Sequence, residues 1–328
     1  MVFYRTYRPQ KISELDSEGV RQSLTTILAS KEIPHAFLLT GPRGLGKTSA
    51  ARIVAKIVNC EKRKSIEPCN KCSQCVSVTN GTNLDVLEID AASNRGIDEI
   101  RDLREKIKLA PAGASRKVYI VDEVHMLTTE AFNALLKTLE EPPPHAMFIL
   151  CTTDAHKVPQ TIQSRCFHVG FSQATLPELI RSLRRIVTAE HIKIDEEAVR
   201  EIARTSDGSF RDASKLLEIA TLRQGKKKIT KEVILDLVGN SIYVGDFVLA
   251  LEKKDAKEAL SWLQEAVGRG LNIKFWLEDF VGNLHNRLLL YYNVGSGSVT
   301  GGLEELTEQE VKKLLTLFTR AHQEMKTT

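Results

Sequence analysis

No stretch of this chain approaches about 18 uninterrupted apolar residues, the length that marks a membrane-crossing helix. The start, Met1-Val2-Phe3-Tyr4-Arg5, has no apolar signal core. Both absences predict a cytoplasmic protein with no membrane partner. A large excess of one charge is missing as well. The chain has 46 Lys and Arg against 42 Asp and Glu, a net charge of +4, so any basic surface for nucleic acid must be local. No internal repeat or long low-complexity region is present, which excludes a repeat array. Cysteines number six, and four of them fall within sixteen residues. In a reducing compartment that clustering argues against a disulfide framework and for a metal.

With 42% hydrophobic and 27% charged residues, 328 positions suffice for two or three globular domains, each with its own core. The run Ala36-Phe37-Leu38-Leu39-Thr40 is short and apolar, ends at a glycine-rich turn and precedes a helical pattern from Thr48 to about Val58. Similar strands are expected at Asp85 to Ile89, Val118 to Val121 and Met147 to Cys151, separated by helical stretches at Ile97 to Leu109 and Glu130 to Leu139. Apolar strands alternating with amphipathic helices predict an α/β fold with a parallel sheet covered on both faces. After Phe171 the strand signals stop. Leu176 to Ala189, Glu196 to Thr205 and Asp212 to Leu222 carry apolar residues at helical spacing, and Arg223-Gln224-Gly225-Lys226-Lys227-Lys228 reads as a solvated turn. The expected division is a sheet domain over 1–171, a small helical domain over 172–239 and a further helical domain over 240–328. In the last, Gly295-Ser296-Gly297-Ser298 and Gly301-Gly302 mark a flexible loop before the final helix.

Gly41-Pro42-Arg43-Gly44-Leu45-Gly46-Lys47-Thr48 satisfies the P-loop pattern G-x-x-x-x-G-K-[ST] at every fixed position, lies between an expected strand and an expected helix, and leads into Ser49. Glycines let backbone N–H groups turn inward around phosphates, and the helix N-terminus adds a favourable dipole. Lys47 can reach the terminal phosphates and the Thr48 hydroxyl can hold Mg²⁺. An ordinary glycine-rich turn would explain these residues but not the second half of the site. That half is Val118-Tyr119-Ile120-Val121-Asp122-Glu123, an apolar strand ending in two carboxylates. Asp122 would act on the magnesium shell, and Glu123 would orient and deprotonate an attacking water. The competing reading has both carboxylates capping the next helix. ATP hydrolysis is therefore the expected chemistry. His125 has no metal partners in sequence and is expected to hydrogen-bond.

Cys60, Cys69, Cys72 and Cys75 follow the P-loop helix with the spacing C-x8-C-x2-C-x2-C. Two C-x-x-C units fix three thiolates and Cys60 closes the fourth position, a saturated set suited to structural Zn²⁺. Reduced, partly buried thiols and an iron-sulfur cluster are the rival readings. Cys151 and Cys166 read as small buried residues.

These residues together resemble the clamp-loader group of AAA+ ATPases, and within it the bacterial DNA polymerase III gamma/tau family. Beyond the P-loop and the cysteines, the matching text is Tyr7-Arg8-Pro9, Glu88-Ile89-Asp90-Ala91-Ala92-Ser93, Asp122-Glu123-Val124-His125-Met126-Leu127 and Asn133-Ala134-Leu135-Leu136-Lys137-Thr138-Leu139-Glu140-Glu141-Pro142-Pro143. It continues in Thr152-Thr153-Asp154, Ser164-Arg165-Cys166 and Gly208-Ser209-Phe210-Arg211-Asp212-Ala213, so the likeness covers residues 1 to about 240.

The resemblance implies an AAA+ P-loop domain with a zinc-binding insertion at 60–75, a helical lid and a helical collar that holds subunits in a ring. It implies that Thr153 is sensor 1, touching the γ-phosphate or the attacking water, where a helix-capping threonine is the bland alternative. Arg165 would be the arginine finger reaching a neighbouring subunit's ATP; read bare, it is a surface arginine. Arg211 would be sensor 2, drawing the lid toward the P-loop; read bare, it is a salt-bridge partner on a helix. One departure stands out: the family has a Val-Gly-Gln-like turn near the adenine, and here Leu15-Asp16-Ser17-Glu18-Gly19 takes its place. The chain stops at Thr328, before the extensions of the longer tau type, which implies a gamma-like or truncated form.

The implied function is that of an ATPase motor in DNA replication, with Mg²⁺ and Zn²⁺. The implied partners are delta, delta-prime and further gamma/tau copies in a pentameric ring, the beta sliding clamp, and primed DNA at the nucleoid. A non-hydrolysing scaffold of the delta-prime kind is the first rival, disfavoured by the intact Lys47-Thr48. Another AAA+ DNA-remodelling motor, such as a branch-migration helicase, is the second, disfavoured by the cysteine insertion. Polymerisation by the chain itself is not expected, because the carboxylate pair that ends an apolar strand, Asp122-Glu123, belongs to the ATP site.

Overall fold

The computed structural model describes residues 2–30, 32–63, 65–93, 105, 107, 109–238, 244–268, 273–292, 303 and 306–327. The chain forms two compact units, residues 1–228 and 229–328. Five strands, β1 (Ala36–Thr40), β2 (Val86–Asp90), β3 (Lys117–Asp122), β4 (Ala146–Thr152) and β5 (Phe167–Gly170), build the sheet of the first unit. Their spatial order is β2-β3-β4-β1-β5 and every neighbouring pair is parallel. Around them lie α1 (Phe3–Thr6), α2 (Glu18–Leu28), α3 (Lys47–Asn59), α4 (Ser73–Asn80), α5 (Thr129–Glu140) and α6 (Gln160–Gln163). The helices α7 (Leu176–Ala189), α8 (Glu196–Thr205) and α9 (Phe210–Gln224) follow.

The sheet is buried on both sides because alternate strand residues feed two separate cores. Phe37, Leu39, Ile120 and Ile149 pack with Leu24 of α2 and Ile53 of α3, while Leu38, Tyr119, Val121 and Phe148 pack with Phe132 and Leu135 of α5. Each such side chain contributes about 1.5–3 kcal/mol on burial, and this two-sided demand makes β1, β3 and β4 read as continuous apolar runs. The edge strand β5, for which the sequence marked only an entry at Cys166 and no bounds, buries only Val169 of its four residues and so carries no such run. Helix α9 also outruns its expected end, continuing through Arg223 and Gln224 until Gly225, at φ 58°, closes it with a bond from its N–H to Thr221 O.

Parallel register brings the C-terminal strand ends level. Thr40 lies opposite Thr152 and Gly170, and Asp90 lies opposite Asp122. In open α/β sheets that edge is where ligands bind. The loop before β3 is fastened from beneath: buried Asp85 accepts the N–H groups of Ala112 (2.8 Å), Gly113 (2.9 Å) and Ala114 (2.9 Å).

The second unit is helical, with Lys231–Val238, Val244–Glu252, Ala256–Gly268, Ile273–Tyr291 and Glu308–Thr327. Trp276 stacks on Phe280 with ring centroids 5.3 Å apart, and Phe247 meets both edge-on. The helix Lys231–Val238 groups with this unit, whereas the boundary expected at 239/240 lies outside the described residues. Most of the helix expected at Ile97 to Leu109, and the loop expected at 295–302, also lie outside them. Among the described residues no helix is long and apolar enough to cross a membrane.

Burial pushes the Asp85 carboxyl up, but three backbone donors outweigh it and hold the group below its usual 3.8. Its contribution to stability is therefore complete above about pH 4 and is lost as pH falls through the lower folded value. Asp85→Ala should lower the unfolding free energy by about 2 kcal/mol at neutral pH, and the deficit should shrink on acidification. Urea titrations at pH 7 and pH 3 read both effects.

Candidate functional site

A cleft of about 590 Å³ opens above the level strand ends. Its floor is the turn from β1 into α3. Gly41, Gly44 and Gly46 hold φ of 139°, 84° and 90°, values that an L side chain rarely adopts. A Cβ on Gly44 would lie 2.1 Å from Ser209 Oγ, so this loop has room only for glycine beneath the N-terminus of α9. The result is a cradle of backbone N–H groups at the start of a thirteen-residue helix.

Lys47 is 6% exposed, and its Nζ donates to Gly41 O (2.6 Å) and Pro42 O (2.8 Å). Burial pulls its pKa below the usual lysine value, while Glu123 and Asp122 oppose that pull. Thr48 Oγ1 donates to Asp122 Oδ2 at 2.8 Å, joining the two oxygens expected beside magnesium. Glu123 sits at φ 48° just beyond β3, and its Oε2 accepts from Thr153 Oγ1 (2.9 Å) and Thr153 N (3.3 Å). The backbone turn thus aims the carboxylate across the sheet edge instead of along the strand, and Thr153 engages it without capping a helix. His125 stands behind it, with Nδ1 2.9 Å from Thr152 Oγ1 and 3.4 Å from Glu123 Oε2.

Arg43, Gly44, Leu45, Gly46, Ser49 and Arg211 line the cleft, whereas Gly41 and Pro42 serve it through the carbonyls that hold Lys47. Arg211 reaches it from α9, with its backbone N–H donated to Gly44 O at 3.3 Å and its guanidinium 5.7 Å from the Tyr4 ring centroid. The pattern of donors fits a polyphosphate: buried ammonium, helix N-terminus and arginine converge where, among the described residues, Lys47 is held by carbonyls and not by a carboxylate. Arg165 stands elsewhere, donating to Thr161 O (2.6 Å) and Glu140 Oε1 (2.6 Å), and does not line this cleft.

Reasoning from sequence missed the far wall. Asp16, 8% exposed, accepts from Arg185 Nη2 at 2.9 Å, and Arg181 Nη2 donates to Asp16 O at 2.5 Å. The lid helix α7 thereby grips the segment that departs from the family pattern. No local signal announces a pair 169 residues apart.

Beyond α3, the Sγ atoms of Cys60, Cys69, Cys72 and Cys75 all lie within 4.8 Å of one another. Four thiolates at the usual zinc distance would stand about 3.8 Å apart, and Cys69 and Cys75 are 4.0 Å apart. Cys60 Sγ accepts from Cys69 N (3.3 Å), and Cys69 Sγ accepts from Lys71 N (3.4 Å) and Cys72 N (3.3 Å). The Lys71 and Cys72 donations draw the Cys69 thiol down to about 6, and burial pushes Cys75 up. A soft divalent ion fits this donor set. Cys151 is fully buried in β4 and Cys166 half-buried, and neither joins the quartet.

Comparison with known proteins agrees with this geometry. A family profile described as DNA polymerase III, delta subunit, matches residues 17–175, and one described as DNA polymerase III clamp loader subunit, ATPase lid domain, matches 178–221. DNA polymerase III subunit gamma of Buchnera aphidicola subsp. Schizaphis graminum is 37% identical over 88% of this chain and 80% of its own length. The chain belongs to the DNA polymerase III gamma/tau family. DNA polymerase III subunit tau of Bacillus subtilis is 42% identical over 99% of the chain, and its Escherichia coli counterpart 37% over 87%. The chain spans 60% and 44% of those two relatives' lengths. Among solved structures, the Thermotoga maritima RuvB Holliday junction branch migration motor superposes with a TM-score of 0.53 at 17% identity, covering 94% of this chain and 91% of that one. That likeness is one of fold, and it accords with the α/β AAA+ class expected for the family.

Two outcomes test the site's construction. Gly44→Ala should cost about 2 kcal/mol of stability from strain and collision, and Ser209→Gly should recover part of it by removing the colliding hydroxyl; urea midpoints of the single and double variants decide. Elemental analysis of protein purified without chelator should find one zinc per chain, lost in Cys72→Ser.

Proposed function

We propose that this chain is the ATP-hydrolysing motor subunit of a bacterial DNA polymerase III clamp loader, using ATP binding and hydrolysis to place a sliding clamp on primed DNA. The observation that carries the proposal is the convergence of Lys47, Thr48, Asp122, Glu123 and Thr153 in one cleft with Arg211 from the lid. The three-part division at 1–171, 172–239 and 240–328, with the last part a collar, belongs to the same proposal, as does a cytoplasmic, nucleoid-associated site of action.

Each group has a task that its surroundings suit. Lys47, poised on two carbonyls, turns to the terminal phosphate oxygens. Thr48 and Asp122 hold Mg²⁺, which supplies charge neutralisation at those oxygens. Glu123, steadied by both donors of Thr153, orients a water and accepts its proton at a carboxylate oxygen. Arg211 binds phosphate from α9, so nucleotide and lid position are linked through differential contacts. Arg165, outside its own chain's cleft, is offered to the ATP of a neighbouring copy. The four cysteines hold structural Zn²⁺, with no open ligand position for catalysis. Delta, delta-prime and further gamma/tau copies complete a five-membered ring, and beta clamp and primed DNA are its substrates.

ATPase assays with and without sliding clamp and primed template test the proposal. Turnover should rise when both are present, and Lys47→Ala should abolish nucleotide binding. Arg165→Ala should bind ATP normally yet lose about 10³-fold in turnover within the assembled ring; full turnover by that variant would reject action across the subunit boundary.

A further inference from the structure

The cysteine quartet and the nucleotide cleft share one strap of chain. Residues 8–17 line the cleft twice, first with Arg8 and Pro9 and again with Leu15, Asp16 and Ser17. Between those stretches the strap crosses the cysteine module, which satisfies its polar groups. Glu67, between Cys60 and Cys69, accepts the N–H groups of Ile12 (2.9 Å) and Ser13 (2.8 Å). Asn70, between Cys69 and Cys72, donates Nδ2 to Gln10 O at 3.3 Å, and Thr79 Oγ1 of α4 donates to Gln10 Oε1 at 3.2 Å.

Lys56 completes the clasp. It is 1% exposed and lies on α3, the helix that starts at Lys47 and hands over to Cys60. Its Nζ donates to Gln10 O (3.0 Å), Gln10 Oε1 (2.6 Å) and Asn70 Oδ1 (2.8 Å), all neutral acceptors. Cys75 and Glu14 are within electrostatic reach and favour the buried cation, and a metal tetrathiolate held by the quartet would add net negative charge on the same side. Asn70 holds φ 56° between two ligand positions, a conformation that asparagine tolerates better than most residues. The module has little apolar core of its own: among its described residues only Pro68, Cys72, Cys75 and Val78 are buried. Such a segment owes its shape to the ion.

On its other side the strap is tied to the lid. Arg185 donates Nη1 to Glu14 O (2.9 Å) and Nη2 to Asp16 Oδ2 (2.9 Å), and Tyr7, just before the strap, donates Oη to Glu190 Oε1 just past α7 (2.6 Å). The strap is therefore stretched between a lid that nucleotide is to move and a module that stays on α3.

We infer that the metal-folded cysteine module is the anchor that positions strap 8–17 as the base-side wall of the nucleotide cleft, with Glu67, Asn70 and Lys56 as its positioning residues. The inference rests on the nucleotide reading above. An unanchored strap must be ordered at the moment of binding, and that entropy is charged to the nucleotide. The cost falls on adenosine and not on phosphate, because the cradle is built independently by β1 and α3.

The test uses the full chain, with ATP and inorganic tripolyphosphate as separate ligands in titration calorimetry, zinc content by elemental analysis, and amide exchange over residues 10–15. In Glu67→Ala, ATP affinity should fall about tenfold, the worth of one or two lost hydrogen bonds to a carboxylate. Tripolyphosphate affinity should hold within about twofold, zinc should stay at one per chain, and amide protection at Ile12 and Ser13 should disappear. Asn70→Gly, which keeps the positive φ accessible, and wild type stripped of metal should show the same split. Unchanged ATP affinity after loss of that protection overturns the inference. So does equal weakening of both ligands, which would make the module a support of the fold at large. Retention of protection and ATP affinity by metal-free wild type overturns it too. Wild type that binds neither ligand overturns the nucleotide reading itself and so is told apart from failure of the anchor.

Discussion

The hydrogen bond from Thr48 Oγ1 to Asp122 Oδ2, 2.8 Å long, joins the first turn of α3 to the end of β3 across 74 residues of sequence. It can form because β1, β4 and β3 run parallel with their ends level, so the loop leaving β1 folds over β4 and meets the carboxylate two strands away. A one-residue slip in register would turn every side chain of the strand to the other face of the sheet and carry Asp122 away from Thr48. The two apolar cores, fed by alternate strand residues, oppose such a slip with many side chains at once. Precision in the cleft is thus inherited from burial in the sheet.

The same economy governs the lid. Ser209 caps α9 by accepting Asp212 N at 3.2 Å, and its side chain fills the space where Gly44 lacks one. Arg211 N donates to Gly44 O. The helix that carries Arg211 is therefore registered on the cradle by backbone and by a missing Cβ, and not by a charge pair that salt would screen. A glycine chosen for its φ also sets the distance between two parts of the unit.

How much of this was legible beforehand follows from sequence distance. β1, β3 and β4 announced themselves because burial on both faces demands unbroken apolar runs, while β5 exposes half its residues and left no such trace. Lys47 and the cysteine quartet were readable because their partners lie in the same short motif, whose spacing is itself the geometry, and Thr48 was readable from the motif although its partner Asp122 is 74 residues on. Glu123 was readable as a carboxylate after a strand, but its positive φ and its grip on Thr153 depend on the neighbouring strand β4. Arg211 and Thr153 carried meaning only through resemblance to a family. The contacts of Asp16 with Arg185, and of Gln10 with Lys56 and Asn70, were out of reach, since side chains that meet only after folding leave no periodicity.

These long-range contacts bear on what a lid must do in a nucleotide-driven machine. Moving a two-state element from mostly open to mostly closed takes a differential affinity of about 10⁴, roughly 5.5 kcal/mol. Arg211 alone, as one partly exposed cation on a phosphate, offers a fraction of that. Asp16 lowers that demand: nearly buried, its ion pair with Arg185 loses less to solvent than a surface pair and favours α7 against the strap before any ligand binds. Leu15, Val20 and Ile186 line the same cleft and offer apolar area to whatever binds beside them, with Ile186 contributed by α7. The bias toward this lid position is accordingly shared between contacts inside the protein and contacts to a ligand, so a lid of three short helices can answer to one small ligand only if the strap on which α7 rests keeps its place.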